Sequence, residues 1–190
     1  MVDVRGDFDV APLTADRWDD LVTLFGERGA SSGCWCMWWR CGAKEWDANA
    51  GDGNRRALAT LVATGPPPGL LAYHDGRPVG WVAVAPRTEY PRLDRSPKLK
   101  RVDTTPVWAV SCFYIDRWFR GGGVAGTLLR AAVAYARSEG ATAVEGYPLD
   151  PGEGRVSNAA AWTGVLDMFR AAGFDEIARR GARPIVRCTF

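Results

Sequence analysis

Apolar and polar positions alternate with two different periods along the chain, and the changes of period mark the predicted elements. Phe8 to Leu13 reads as a first strand. Thr14 can cap a helix that places Trp18, Leu21, Val22 and Phe25 on one face. The segment from Gly29 to Gly53 shows neither period and is rich in Cys, Trp and Gly. A second helix is predicted from a cap at Asn54, with Leu58, Leu61 and Val62 on its buried side, and Gly65 with three following prolines ends it. Leu70 to Tyr73 and Val79 to Ala85, joined through Asp75 and Gly76, predict an antiparallel hairpin. A long connection from Pro86 to Pro106 follows, either a functional loop or a surface excursion. Val107 to Ile115 is a near-continuous apolar strand, Val124 to Glu139 a helix stopped by Gly140, and Ala143 to Tyr147 a second buried strand. Thr163 to Ala172 predicts a last helix, and Phe174 to Ala178 with Pro184 to Phe190 an antiparallel pair that closes the sheet.

A length of 190 residues suits one domain with a sizeable core, so a single domain over 1–190 is expected. Apolar residues at 47% and charged residues at 24% are ordinary for a globular chain and speak against disorder. The net charge of +2 favours no nucleic-acid partner, because the one basic stretch, Arg92 to Arg101, is broken by Asp94 and Pro97. No apolar run reaches membrane-spanning length, and Asp3, Arg5, Asp7 and Asp9 do not resemble an export signal. Five cysteines, an odd number, then read as free thiols in a reducing cytoplasm. The single histidine, His74, sits in a predicted turn, which argues against a His-based catalytic or metal site.

The most informative segment joins the strand ending at Ile115 to the next helix: Asp116 to Phe119, then Arg120, Gly121, Gly122, Gly123, Val124, Ala125 and Gly126. Unpaired backbone donors at a helix start, with the positive end of the helix dipole, form an anion site, and glycines let the backbone approach phosphate oxygens. Gly121, Gly123 and Gly126 also satisfy the dinucleotide pattern G-x-G-x-x-G, with Glu145 near the ribose-binding spacing. Two features oppose that reading: a charged and aromatic connector separates strand from glycines, and a hairpin replaces the repeated strand-helix-strand units. A P-loop is excluded because no Lys-Ser or Lys-Thr follows the glycines.

Arg120 to Ala125 resembles the R-x-x-G-x-A pyrophosphate signature of the GNAT acetyltransferases, and the order of elements resembles that family along nearly the whole chain, down to Gly173 and Phe174 after the last helix. The resemblance implies an α/β (α+β) fold with a mixed, largely antiparallel sheet flanked by helices and a splayed strand pair that holds acyl-CoA. It implies acetyl-CoA as cofactor, with Phe113, Tyr114 and Ile115 along the pantetheine arm and Arg120, Gly121, Gly122, Gly123, Val124, Ala125 and Gly126 around the pyrophosphate. The acceptor would be an amine, small-molecule or peptide, and the protein a monomer or homodimer.

An alkyl amine, with a pKa near ~10, must lose a proton before it can attack a thioester. Glu145, a carboxylate in an otherwise apolar strand, is the leading candidate for that base, with an ion-paired strand residue as the competing reading. Asp116 is a weaker candidate, with a turn role preferred. The family's thiolate-protonating tyrosine, four residues before the helix-ending glycine, is replaced here by Phe169, which makes Tyr147 the substitute to test. The family's helix-start asparagine has no clear counterpart, since Asn158 lies too far upstream and Trp162 and Thr163 stand nearer the expected position. Cys112 offers a second route through an acetyl-cysteine, ranked below direct transfer because no histidine lies nearby. Cys34, Cys36 and Cys41 supply only three thiolates and lack the C-x-x-C knuckles of structural zinc sites. Trp35, Trp38 and Trp39 are expected to line the acceptor site, where indole faces attract cations, with a satellite core as the alternative for each one. A non-catalytic acyl-CoA sensor is the rival function, motivated by Phe169.

Overall fold

The computed structural model describes residues 7–152 and 160–190. In chain order its elements are β1 (Asp9–Pro12), α1 (Trp18–Phe25), α2 (Ala43–Ala48), α3 (Asp52–Thr64), β2 (Gly69–His74), β3 (Arg77–Pro86), α4 (Pro91–Arg95), β4 (Trp108–Ile115), α5 (Val124–Ser138), β5 (Ala143–Gly146), α6 (Leu166–Ala171), β6 (Asp175–Arg179) and β7 (Pro184–Thr189). The strands form one seven-stranded sheet in the order β1-β2-β3-β4-β5-β7-β6. Every neighbouring pair is antiparallel except β4 and β5, the one pair joined by a crossover helix, α5. The mixed, largely antiparallel sheet flanked by helices is therefore the observed architecture.

β3 explains how the sheet holds a layer on each face. Val79, Val82 and Val84 pack with Val124, Leu128, Leu129 and Ala132 of α5 on one side, while Trp81 and Ala83 pack with Leu21, Phe25 and Leu58 of α1 and α3 on the other. A third cluster, with Tyr90, Leu93 and Leu99, closes one end of the sheet. The Pro86 to Pro106 connection thus serves as a piece of core: Tyr90 and Leu93 are fully buried, and the short helix α4 carries the latter.

Several boundaries differ from the sequence expectation for local physical reasons. α3 begins after Gly51, because Asn54 is buried and its Nδ2 donates to the Gly33 carbonyl at 3.0 Å instead of capping the helix. α2 and α4 are too short to show a full apolar period and were hidden for that reason. The last helix shrinks to Leu166–Ala171 behind a 3-10 turn at Ala161–Thr163. Asn158 lies outside the described residues.

Two details of the sheet shape the site. β4 carries one extra residue, Ser111, between the pairs Val84↔Val110 and Ala83↔Cys112. This bulge places Val110 and Phe113 in the same core cluster despite their odd spacing, and sends Cys112 to the opposite face. The parallel pairing of β4 with β5 stops beside it, at Val110↔Gly146, while β4 runs on to Ile115. Beyond Gly146 the chain leaves β4, and Leu149 forms a bridge with Val165. Gly146 has to be glycine, since a Cβ there would stand 2.1 Å from the ring of Phe169.

Candidate functional site

The parting of β4 from the chain after β5 opens a cleft of about 960 Å3, within the usual range for small-molecule sites. One wall is Phe113, Tyr114 and Ile115 of β4, and the facing wall is Gly164, Val165 and Met168. At one end lie Arg120, Gly121, Gly123, Val124, Ala125 and Gly126, with Thr127 and Arg130 behind them. At the other end are Ala30, Ser31, Ser32, Cys34, Cys36, Trp38 and Trp46, together with Cys112 and Trp162.

The glycine end is built as an anion cradle. Gly121 and Gly123 have φ of 78° and 88°, a left-handed conformation that reverses the chain into α5. A Cβ at either position would meet nothing within 4 Å, so the space over the turn is open. The bond from the Thr127 N–H to the Gly123 carbonyl, 3.1 Å, starts the helix and leaves the preceding amides without intrahelical partners. The first turn of α5 holds no acidic residue, and the exposed guanidiniums of Arg120 and Arg130 flank it. Arg120 Nε donates to the Ile115 carbonyl at 3.0 Å, which ties the turn to the end of β4. All the sequence-selected residues of this end line the cleft except Gly122.

The opposite end corrects the tryptophan expectation. Trp35 is 3% exposed, stacks on Trp18 at 6.0 Å and packs against Phe25, so it belongs to the core under the loop. Trp39 is buried too; its indole N–H donates to the Ser111 carbonyl at the bulge, 3.1 Å, and its ring stacks on Trp162 at 5.5 Å. Only Trp38 of the three reaches the cleft. Trp46 and Trp162, which sequence reasoning did not select, line it as well. Trp46 meets Trp38 edge-on at 5.2 Å, and its buried indole N–H has no hydrogen-bond partner. No sequence signal marked Trp46, whereas Trp162 had stood near an expected family position.

Arg92 changes the electrostatics here. Its guanidinium carbon lies 3.7 Å over the ring of Trp38. A cation on the opposite face of that ring would sit roughly 7 Å from it, where an effective dielectric near ~20 gives a repulsion of about 2 kcal/mol. That offsets the ~0.5 to 2 kcal/mol a cation–π contact returns. Among the described residues that line the cleft, Arg120 and Arg130 alone carry a charge at neutral pH.

Glu145 and Tyr147 are brought together, but away from the cleft lining. Glu145 is 2% exposed. Its Oε1 accepts from Arg187 Nη2 at 2.7 Å, and its Oε2 accepts from the Tyr147 hydroxyl at 3.0 Å and lies 3.5 Å from Arg87 Nε. Arg87 also donates to the Tyr147 oxygen at 3.1 Å and pairs with Asp94, and Arg187 holds Asp103. Burial, then the Glu145 charge, pushes the Tyr147 phenol well above its ordinary range. Both Glu145 oxygens are thus engaged, beneath the connection that carries α4. Asp116 takes the turn role: its carboxylate accepts from Trp118 N at 2.9 Å and pairs with Arg77. Phe169 is fully buried against Phe113 and Phe174.

Cys34, Cys36 and Cys112 line the cleft, while the Cys41 thiol donates to the Met37 carbonyl at 3.2 Å in the core. A hydrogen bond from Cys36, then burial, raises Cys112 well above the ordinary thiol range, and burial raises Cys34. Neither is poised as a thiolate nucleophile at neutral pH.

Known proteins share this fold. The chain is similar to a PaiA N-acetyltransferase from Thermoplasma acidophilum solved with coenzyme A, at 12% identity and a TM-score of 0.53, over 97% of this chain and 100% of that one. It is similar to a polyamine N-acetyltransferase from Drosophila melanogaster, described as forming N-acetylagmatine, at 14% identity and a TM-score of 0.55, over 97% and 100%. A further structure, described as an acetyltransferase, reaches a TM-score of 0.61 at 14% identity, over 95% and 98%. A search of curated protein sequences finds no match. These likenesses are of fold; the family model for the acetyltransferase (GNAT) family matches residues 34–154, well over half of the sequence, from the cysteine-rich loop through the glycine turn and β5. The chain belongs to the GNAT family of acetyltransferases.

Proposed function

We propose that the chain, as one domain, transfers an acetyl group from acetyl-CoA directly to a small, weakly basic amine. The observation that carries the cofactor is the open glycine turn at the start of α5, whose free amides and two flanking arginines suit a pyrophosphate. Three of the similar structures were solved with coenzyme A or acetyl-CoA, which supports the same reading. Bound there, acetyl-CoA supplies a thioester whose carbonyl carbon is the electrophile. β4 past its bulge, Phe113 to Ile115, offers an unpaired strand edge for the pantetheine amides, since β5 no longer covers it. Met168 and Val165 form the apolar side opposite and keep water out of the split.

The acceptor reading follows from the chemistry at the tryptophan end. A polyamine would ask for carboxylates, and the described lining there consists of indoles, thiols and hydroxyls backed by the Arg92 guanidinium. An aromatic or otherwise weakly basic amine is already a free base at neutral pH and so needs no protein base to attack. Trp38 and Trp162 supply flat apolar faces for it. The coenzyme A thiolate then leaves without help from Phe169, as a thiol of pKa near ~8.5 can. Glu145 and Tyr147 act as structure in this reading.

Acetyl-CoA titrated calorimetrically into the protein tests the cofactor half, with micromolar binding expected. Coenzyme A release over a panel from anilines to polyamines tests the acceptor half. Tight binding without release for any amine would leave a sensor; release with polyamines alone would reject the weakly basic acceptor.

A further inference from the structure

The thiols of the cleft have no part in the chemistry above, yet two of them touch. The Cys36 S–H donates to Cys112 Sγ across 3.6 Å, and Trp81 Nε1, 3.2 Å from Cys36 Sγ, fixes that sulfur from the core side. Both cysteines line the open cleft, so a small oxidant can reach them. Their backbones differ in setting. Cys112 sits on β4 in the middle of the sheet, directly after the Ser111 bulge. Cys36 sits in the irregular loop before α2, where Trp35 and Cys36 hold φ of 44° and 54°. Non-glycine residues in that region are strained, and the packing of Trp35 against Trp18 and Phe25 holds them there. A disulfide needs its sulfurs roughly 2.05 Å apart, so the contact must close by about 1.5 Å, within reach of side-chain rotation at the two cysteines.

We propose that Cys36 and Cys112 form an oxidisable dithiol site, converted by a peroxide to a disulfide that ties the tryptophan loop to β4 and reshapes the acceptor end of the cleft. The Cys36 sulfur, deprotonated, attacks one peroxide oxygen; an S–O bond forms, the O–O bond breaks, and the other oxygen leaves as water after taking a proton. The Cys112 sulfur then attacks the Cys36 sulfenic sulfur, forming S–S and breaking S–O, and a second water leaves. Two thiols lose two electrons and two hydrogens, and hydrogen peroxide is reduced to two waters. A dithiol reductant reverses the change by exchange. The raised proton affinity of Cys112 makes closure faster as the pH rises. Cys34, also on the cleft, is the internal control.

The test oxidises the full chain with hydrogen peroxide and reads intact mass and unreduced peptide maps. The expected result is loss of two hydrogens, a single Cys36–Cys112 linkage, and recovery with dithiothreitol. Cys36→Ser and Cys112→Ser should each abolish the linkage and Cys34→Ser should keep it; if a serine variant fails to fold, the wild-type map decides alone. A linkage through Cys34, or sulfinic acid without any linkage, overturns the site. The effect on the cleft rests on the acyl-transfer reading. There the oxidised protein should hold acetyl-CoA within two-fold of the reduced protein while its acceptor KM or turnover changes at least ten-fold. An unchanged rate overturns the reshaping, whereas no turnover in the reduced protein counts against the acyl-transfer reading and leaves the mass result standing.

Discussion

Glu145 shows how a side chain is reassigned by its partners. In sequence it is a carboxylate in an apolar strand; in space its oxygens face Arg187, Tyr147 and Arg87, with Arg187 42 residues away. That separation is why no local pattern could announce the pair. Breaking a buried pair by removing one partner costs about 3 to 5 kcal/mol. Glu145→Ala should therefore lower the melting temperature sharply, and the turnover of the folded fraction, per acetyl-CoA bound, should stay within about three-fold. A thousand-fold loss of turnover at unchanged stability would restore Glu145 as the base. The tryptophans divide in the same way. Trp35→Leu should cost stability, roughly 1 to 3 kcal/mol, with no change in acceptor KM. Trp39→Leu should reduce both stability and acceptor affinity, because its stack holds Trp162 at the cleft. Thermal melts and acceptor KM measured on the same preparations separate them.

Among the elements, α5 and its glycine turn were legible in the sequence because every signal is local: a strand, a turn with glycines where φ is positive, then a helix with a 3.6-residue apolar period. The hairpin of β2 and β3 was legible for the same reason, as was the closing pair β6 and β7. The Cys-Trp-Gly loop was not, since its neighbours in space, among them Trp81, Trp162 and Arg92, come from distant elements. Nor was the Ser111 bulge, which shows itself only against β3 and decides which face Cys112 takes. The turn gives its own prediction. Gly123→Asp puts a charge into the open space over the α5 amides and forces a non-glycine residue to φ near 88°. Acetyl-CoA affinity should fall at least a hundred-fold by calorimetry, with Gly123→Ala as the strain control falling less. Retained affinity in the Asp variant would move the pyrophosphate elsewhere.

At the scale of the molecule, one end of the sheet is held by ion pairs that respond to acid. The Arg187 hydrogen bond holds the Asp103 carboxyl well below the usual range. Burial raises Asp94, but the bond and charge of Arg87, with the charge of Arg101, outweigh it and hold this carboxyl low as well. A carboxylate with a depressed folded pKa adds stability that is complete above its unfolded value, near ~4, and lost as the pH falls through the folded value. Melting temperature should be insensitive to these groups between pH 5 and 8 and should fall below about pH 4, with Asp94→Asn flattening the fall. An identical acid limb in the variant would remove Asp94 from the account.

The same scale bears on the reaction, because the cleft joins an open glycine turn to an aromatic end whose described lining offers no carboxylate or imidazole. Coenzyme A release measured against pH, with an aniline and an alkyl amine of matched size, tests this most directly. The expected kcat/KM for the aniline is flat from pH 6 to 8, while that for the alkyl amine is far lower and rises about ten-fold per pH unit toward the amine's own pKa near ~10. A profile for both amines that shares one inflection near neutrality, independent of the acceptor, would reveal a protein base and contradict it.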